Sequence, residues 1–245
     1  MGHRSTIVVQ GVQGFAQVIA CLALSLGLGS CRPLLQREVA GRILALEGNA
    51  TGKRDGQEIA LTSKGLIYPG ETISAHANAR VDLMLVPGIL IELTGDTEIE
   101  IAQLRLARDG DETIRPMTVR EARMRVTHGT VVASVGEAQT DPRLFVATPQ
   151  GTLTADADRT FRVEVAAGKT RILSVRRQVV IRAAGAPAEL KIPAGYFATL
   201  PAATPNLRSA AEEGAEAQAR LHATFEVEKR LLLLEDQHRD DFRPW

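Results

Sequence analysis

The stretch Ala79-Arg-Val-Asp-Leu-Met-Leu-Val-Pro-Gly-Ile-Leu-Ile-Glu-Leu93 decides the fold class. Val81–Val86 and Ile89–Leu93 are aliphatic runs of strand length, and only Pro87-Gly88 stands between them. Proline fixes φ, and glycine takes a positive φ without steric cost. The pair therefore reads as a tight turn joining two antiparallel strands.

The same texture extends to both sides. Upstream, Gly41–Leu46 is a strand candidate closed by Glu47-Gly48-Asn49, Asp55-Gly56 is a hairpin signal before Glu58–Leu61, and Pro69-Gly70 marks a turn. Downstream, Glu98 and Glu100 alternate with Ile99 and Ile101, which puts two acids on one strand face and two isoleucines on the other. Asp109-Gly110-Asp111 reads as a further turn. Arg123 and Arg125 alternate with Met124 and Val126 before Gly129. Thr130–Val135, Leu144–Thr148, Gly151–Ala155, Thr160–Val165, Thr170–Val175, Val179–Ala183, Glu189–Ile192 and Tyr196–Leu200 are all of ordinary strand length. With turn signals about every ten residues, the expectation is an all-β body over 39–200, with many short strands in a solenoid-like or sandwich arrangement. Gly95, Gly129 and Gly151 open similar dipeptides at unequal spacings, so no fixed-period repeat is present.

After Pro201 the texture changes. Residues 201–208 read as a linker, and 209–245 as one C-terminal α-helix, expected over 209–238, with a tail. Ser209 and Glu212 form a capping-box signature. Glu216/Arg220, Glu226/Arg230 and Glu235/Arg239 are i,i+4 pairs in the favoured order. Leu221, Phe225 and Leu231–Leu234 make an apolar stripe. The stripe either docks on the β body or self-associates, or it receives a protein partner. In the last case Leu221, Phe225, Leu231 and Leu232 are the candidate partner-binding residues.

The N-terminus reads as a leader. His3 and Arg4 give a weakly basic start, and Phe15–Gly29 is an apolar core, too short and glycine-broken for a spanning helix. Leu28-Gly29-Ser30-Cys31 resembles the lipobox of bacterial lipoproteins: an aliphatic residue, two small residues, then the cysteine that takes the lipid. Residues 1–31 are thus expected to be a lipoprotein signal peptide, with Cys31 as the lipidation site and the membrane as its partner. The only other cysteine, Cys21, lies inside the apolar core, so the body is expected to hold itself together without disulfides. Arg32 follows Cys31 where an aspartate retains lipoproteins at the inner membrane in enterobacteria-like systems, which leans towards the outer membrane.

Composition narrows the function classes. Lys+Arg and Asp+Glu are equal at 29 each, so the basic surface a nucleic-acid binder needs is missing and no nucleic-acid partner is expected. The balance is uneven along the chain: residues 209–245 carry nine acids and five bases. Aromatic residues are 4%, leaving few rings on which a sugar could stack, which disfavours a carbohydrate or peptidoglycan binder.

Taken in order, these segments resemble the FecR domain family, the periplasmic portion of bacterial iron-uptake signalling regulators and of many exported proteins. Gly41-Arg-Ile with Gly48 resembles its opening strand and turn. Tyr68-Pro-Gly-Glu-Thr-Ile73 resembles its "large-x-x-Gly-Asp-x-Ile" step, and Ala79–Leu93 its central hairpin. Thr97–Ile101 is similar to the strand that follows, Val126–Val135 to the "Gly-x-x-x-x-x-Val" strand, and Phe145-Val-Ala-Thr-Pro-Gln-Gly151 to the "Phe-x-Val-x-Thr-Pro-x-Gly" step. Ile192-Pro-Ala-Gly-Tyr196 resembles the closing turn. Two places depart from the pattern: Arg159-Thr160-Phe161 lacks the family's glycine, and so does Val175-Arg-Arg-Gln-Val179. The resemblance implies the fold, and exported protein–protein interaction or ligand sensing. It does not imply sigma-factor control, because the cytoplasmic anti-sigma segment of the signalling members has no counterpart here.

No catalytic motif is found: there is no His-Glu-x-x-His, Cys-x-x-Cys, P-loop or Gly-x-Ser-x-Gly. His76 and His128 stand alone beside expected turns. Asp109, Asp111 and Glu112, and separately Asp156 and Asp158, read as turns rather than Ca²⁺ loops. Arg120, Arg123 and Arg125 read as a solvated strand face. The expectation is a non-enzymatic, cofactor-free, lipid-anchored envelope protein facing the periplasm, which binds a protein partner or senses a ligand. The alternative is a structural scaffold that forms homo-oligomers through its C-terminal helix.

Overall fold

A computed structural model of the chain describes residues 35–108, 119–136, 141–201 and 207–238. Cys31 and the expected leader, the turn at 109–112 and Arg239 lie outside those residues.

Strands come first along the chain. They are Leu35–Glu38 (β1), Gly41–Glu47 (β2), Ala50–Arg54 (β3), Gln57–Ala60 (β4), Leu66–Ile67 (β5), Thr72–Ala75 (β6), Arg80–Val86 (β7), Ile89–Arg108 (β8) and Val119–Val135 (β9). Asp141–Thr148 (β10), Gly151–Ala155 (β11), Arg159–Ala166 (β12), Lys169–Arg176 (β13), Val179–Ala183 (β14), Glu189–Ile192 (β15), Tyr196–Leu200 (β16) and Leu207–Ser209 (β17) follow. Two helices come last, Ala210–Glu213 (α1) and Ala215–Gln237 (α2).

The hairpin at Pro87-Gly88 forms as expected, with Val86 opposite Ile89. The strands beyond it are not all short. β8 has 20 residues and β9 has 17, where the sequence suggests a break in each. The turn signals at Gly95 and Gly129 are bulges inside two long paired strands. The register jumps from Thr94↔Thr130 to Glu98↔His128. Thr97, 1% exposed, turns into the gap, where its hydroxyl donates to the Thr94 carbonyl and accepts the Thr130 N–H at 2.9 Å. Gly129 has φ +96, and a Cβ on it would collide with the Thr97 backbone. Only glycine meets both conditions.

These bulges make the architecture. On the β7 side of the bulge, β8 and β9 belong to a layer running β5-β2-β7-β8-β9-β12-β13-β16-β17. Past it, the same two strands belong to a second layer running β4-β3-β6-β8-β9-β10-β11-β14-β15, with β1 on the far end of β8. We call these layers A and B. All pairings are antiparallel except β9–β10. The inward side chains of both layers form one core: Ile43, Leu83, Ile91, Ala133, Phe161 and Ile172 from A meet Ile73, Ile99, Ile101, Met124, Val146 and Ile181 from B. The arrangement is thus a sandwich made from one continuous sheet, of the two forms the sequence leaves open.

The outer face of layer A is also apolar in part. Leu44, Met84, Leu90 and Val132 are each 5% exposed or less and pack on Val227, Leu231 and Leu234 of α2. Leu173, Val175 and Phe197 pack on Ala210, Ala217 and Leu221. The helix therefore forms a third layer.

Two expectations need correction here. Residues 209–238 are not one helix. The capping box forms, with Glu212 N–H donating to Ser209 Oγ and Ser209 N–H to the Glu212 carboxylate. The helix it starts then breaks at Gly214, whose φ of 94° and ψ of −168° no helix contains. Part of the linker is also ordered: Leu207–Ser209 pairs with β16.

Candidate interaction surface

The two outer faces differ in kind. The face of layer A is closed by α2. At its centre Asp82 and Glu92 stand directly opposite each other on β7 and β8, where like charges repel. Both side chains are nearly inaccessible, at 1% and 4% exposure. Arg230 reaches down from α2 and pairs with both, at 3.2 Å to Asp82 Oδ1. Arg80 lies 3.7 Å from the other Asp82 oxygen. Burial nevertheless pushes the Asp82 carboxyl above the ordinary aspartate value, and the guanidiniums of Arg230 and Arg80 offset only part of that push.

Charge pairing continues along the helix. Thr160 Oγ1 donates to Glu228 Oε1 at 2.7 Å, and Arg176 approaches the same oxygen at 3.3 Å. Arg220 donates to Glu164 at 3.0 Å and to Glu216 at 2.6 Å. Glu213 of α1 pairs with Arg171. At the far end Gly88 N–H donates to Glu235 at 2.9 Å, beside Arg120, which donates to the Pro87 carbonyl at 2.9 Å. Burial lowers the Arg120 pKa, and the Glu235 carboxylate offsets part of that.

Of the three helical pairs expected from spacing, Glu216/Arg220 forms. Glu226/Arg230 does not: Glu226 pairs with Lys229 at 2.7 Å, and Arg230 turns to the two buried acids. The reason is energetic. A buried carboxylate without a cation costs far more than a solvated one.

The apolar stripe also divides. Leu231 is wholly buried and Leu221 partly buried against layer A, while Phe225 is 38% and Leu232 39% exposed. The four candidate residues therefore do not share one surface. Two face the chain's own sheet, and two, with Leu233, form an outward ridge. The docking acids Asp82 and Glu92 were missed from sequence; single charges within the aliphatic runs 81–86 and 89–93 were the available signal.

The face of layer B is open, and among the described residues no helix covers it. Arg123, expected to be simply solvated, lies over the Phe145 ring at 4.3 Å and pairs with Glu121 at 2.7 Å. Beside it is a shallow depression of about 610 Å³, lined by Phe145, Thr152, Thr154, Val180, Arg182 and Glu189. It offers hydroxyls, a ring face and an ion pair, Arg182–Glu189 at 2.7 Å. No nucleophile with a neighbouring base is among the lining residues.

The departures from the family pattern have a local solution. Arg177 takes a left-handed φ of 55° in the β13–β14 turn, and Asp158 pairs with Arg176 at 3.0 Å and with Arg177. Asp158 is thus bound to two arginines. Among the described residues no group of three or more His, Cys, Asp or Glu is placed to hold a metal, and no helix is long and apolar enough to cross a membrane.

Comparison with known proteins completes the description. No curated protein matches the chain. Two crystal structures of a "putative anti-sigma factor" from Parabacteroides distasonis align with a TM-score of 0.40 and 13% identity, over 56% of this chain and 57% of theirs. This chain therefore spans little more than half the length of those proteins. A family model described as FecR protein matches residues 71–180, from the step before β6 to the start of β14. The match is narrower than the expected 39–200, and it takes in the central hairpin, both bulged strands and the depression on layer B up to Val180. Residues 71–180 of this chain are a FecR domain.

Proposed function

We propose that the chain is a non-catalytic, lipid-anchored envelope protein with a signalling role, whose FecR domain binds a protein partner on the open face of layer B. The carrying observation is the asymmetry of the two outer faces. The helix lies outside the FecR-matched residues and closes layer A alone. Layer B keeps Arg123 over Phe145 and the adjoining depression accessible. An open surface with a shallow depression, an aromatic ring and arginines suits protein recognition. The anchor rests on Cys31 at the end of the lipobox-like stretch. A self-associating scaffold is the second reading, favoured by the outward ridge Phe225, Leu232 and Leu233.

The test is in-cell photo-crosslinking from positions 152 and 182, with position 225 for comparison, in the native chain and in Cys31→Ser. The proposal expects one discrete heterologous protein captured from layer B, with membrane attachment lost in Cys31→Ser. Self-crosslinks from position 225 with none from layer B would replace it with the scaffold. Unchanged membrane attachment in Cys31→Ser would remove the lipid anchor.

A further inference from the structure

The helix layer is separable from the sandwich. The main core ends at Leu200 and Leu207 and includes no residue of α1 or α2. The contacts of α2 with layer A are instead two small apolar clusters, with ion pairs interspersed among their residues along the helix. The charges alternate on both sides. Glu213, Arg220, Glu228, Arg230 and Glu235 of the helices meet Arg171, Glu164, Arg176, the Asp82–Glu92 pair and the Gly88 N–H with Arg120 on the sheet. Such a face is complementary to this helix in particular, and a helix without a cation at the place of Arg230 would leave Glu92 buried without its cation and Asp82 with Arg80 alone.

Gly214 joins this separable layer to a fixed point. α1 is held in place by Ala210, which is 4% exposed, by its N–H bond to the Gly195 carbonyl at 2.8 Å, and by the Glu213–Arg171 pair. At Gly214 the chain takes φ +94°, and no atom lies within 4 Å of where a Cβ would sit. Side chains on either side favour helix, from Ser209 through Gln237, so the break is sustained by docking and not by local preference. If Gly214 adopts helical angles, α1 and α2 become one continuous helix. Because α1 is fixed, α2 must then leave the sheet.

We propose that Gly214 is a hinge through which α2 exchanges between two copies of this chain, each helix occupying the apolar, alternately charged outer face of the other's layer A. Every contact made within one copy is remade between copies, so exchange costs little beyond association, and the straightened helix removes the unfavourable break. This interface is independent of the lipid anchor and of the partner surface on layer B.

The experiment uses the full chain. A diazirine-bearing leucine analogue replaces Leu231, which is wholly buried against Leu44, Met84, Leu90 and Val132, so docking is preserved. Isotope-labelled and unlabelled copies are mixed at rising concentration and irradiated. The proposal expects crosslinks from labelled residue 231 to unlabelled peptides containing Met84–Leu90 or Val132. It also expects Gly214→Ala to raise the dimer association constant by about tenfold or more, because alanine at this φ is strained while alanine in a helix is favoured. Leu231→Asp in the Gly214→Ala background should abolish that dimer. Crosslinks confined to one isotopic species at every concentration would overturn the proposal. So would a Gly214→Ala chain that is folded by circular dichroism but monomeric, or a dimer indifferent to Leu231→Asp.

Discussion

Replacing Arg230 with methionine tests whether the helix is held by its ion pair with the sheet. Methionine keeps most of the stem that packs near Val227 and Leu231 and removes only the guanidinium. At 3.2 Å, and with an effective dielectric constant of about 20, the attraction to Asp82 alone is on the order of 5 kcal/mol. Two effects reduce what is lost. The Arg230 side chain as a whole is 32% exposed, so water screens part of the attraction, and Arg80 remains 3.7 Å from Asp82. A loss of about 2–4 kcal/mol at pH 7 is expected, between the value for a broken buried pair and that for a surface pair. The loss cannot exceed the free energy of docking, since an undocked helix lets water reach Asp82 and Glu92. Protonation offers a second relief. With its nearest cation gone, the Asp82 carboxyl rises further, so the penalty should shrink as pH falls towards 4. Hydrogen exchange of the α2 amides and urea unfolding, each at pH 7 and pH 4.5, measure both parts. Exchange should accelerate most in α2, ahead of β7 and β8. A loss under about 0.5 kcal/mol, the range of an ordinary surface substitution, would refute the reasoning. So would a loss equal at both pH values.

Asp82→Asn should behave differently. The folded Asp82 carboxyl binds its proton more tightly than the ordinary value of 3.8, so its stabilising contribution is full below that pH and is lost as pH rises through the raised folded value. Asparagine removes that dependence, and denaturant unfolding at pH 7 should find Asp82→Asn no less stable than the native chain, with a flatter profile between pH 4 and 7. Gly129→Ala must strain a φ of +96° and push against the Thr97 backbone; we expect a loss of about 3 kcal/mol or more in thermal unfolding, against about 1–3 kcal/mol for Thr97→Val, which orphans the Thr130 N–H. Leu233→Glu, at a site 65% exposed, should change stability by less than about 0.5 kcal/mol in the same assay, whereas Leu231→Ala should cost about 2–4 kcal/mol.

Most of the strands are legible because their signal is local. Pro87-Gly88 and Asp55-Gly56 carry their turn chemistry in two residues, and the alternation of Ile99 and Ile101 with Glu98 and Glu100 survives as core against exterior. Gly95 and Gly129 mislead for a physical reason. A glycine with a positive φ closes a turn or opens a bulge, and which it does depends on the strand alongside. Thr97 completes this bulge from 33 residues away, beyond the reach of any window along the sequence. The helix break has the same origin: nothing in Glu213-Gly214-Ala215 forbids continuation, and the sheet contacts of α2 decide the angle.

The site was less legible because its parts were read on the wrong elements. Sequence directs attention to leucines on the helix, yet Leu231 and Leu221 are half of a contact whose other half is Leu44, Met84, Leu90, Leu173 and Phe197. Those residues are indistinguishable in composition from the inward neighbours Ile43, Leu83, Ile91 and Ile172 that build the core. A strand buried on both faces loses the alternation that would tell inside from outside. What breaks the degeneracy is charge. Asp82 and Glu92 sit within runs that are otherwise aliphatic, and a carboxylate in such a run must either reach solvent or meet a cation from another element. In this fold that element is α2, and the cation is Arg230. A pair of isolated acids on adjacent strands of one hairpin therefore marks the sheet face that another element of this chain covers.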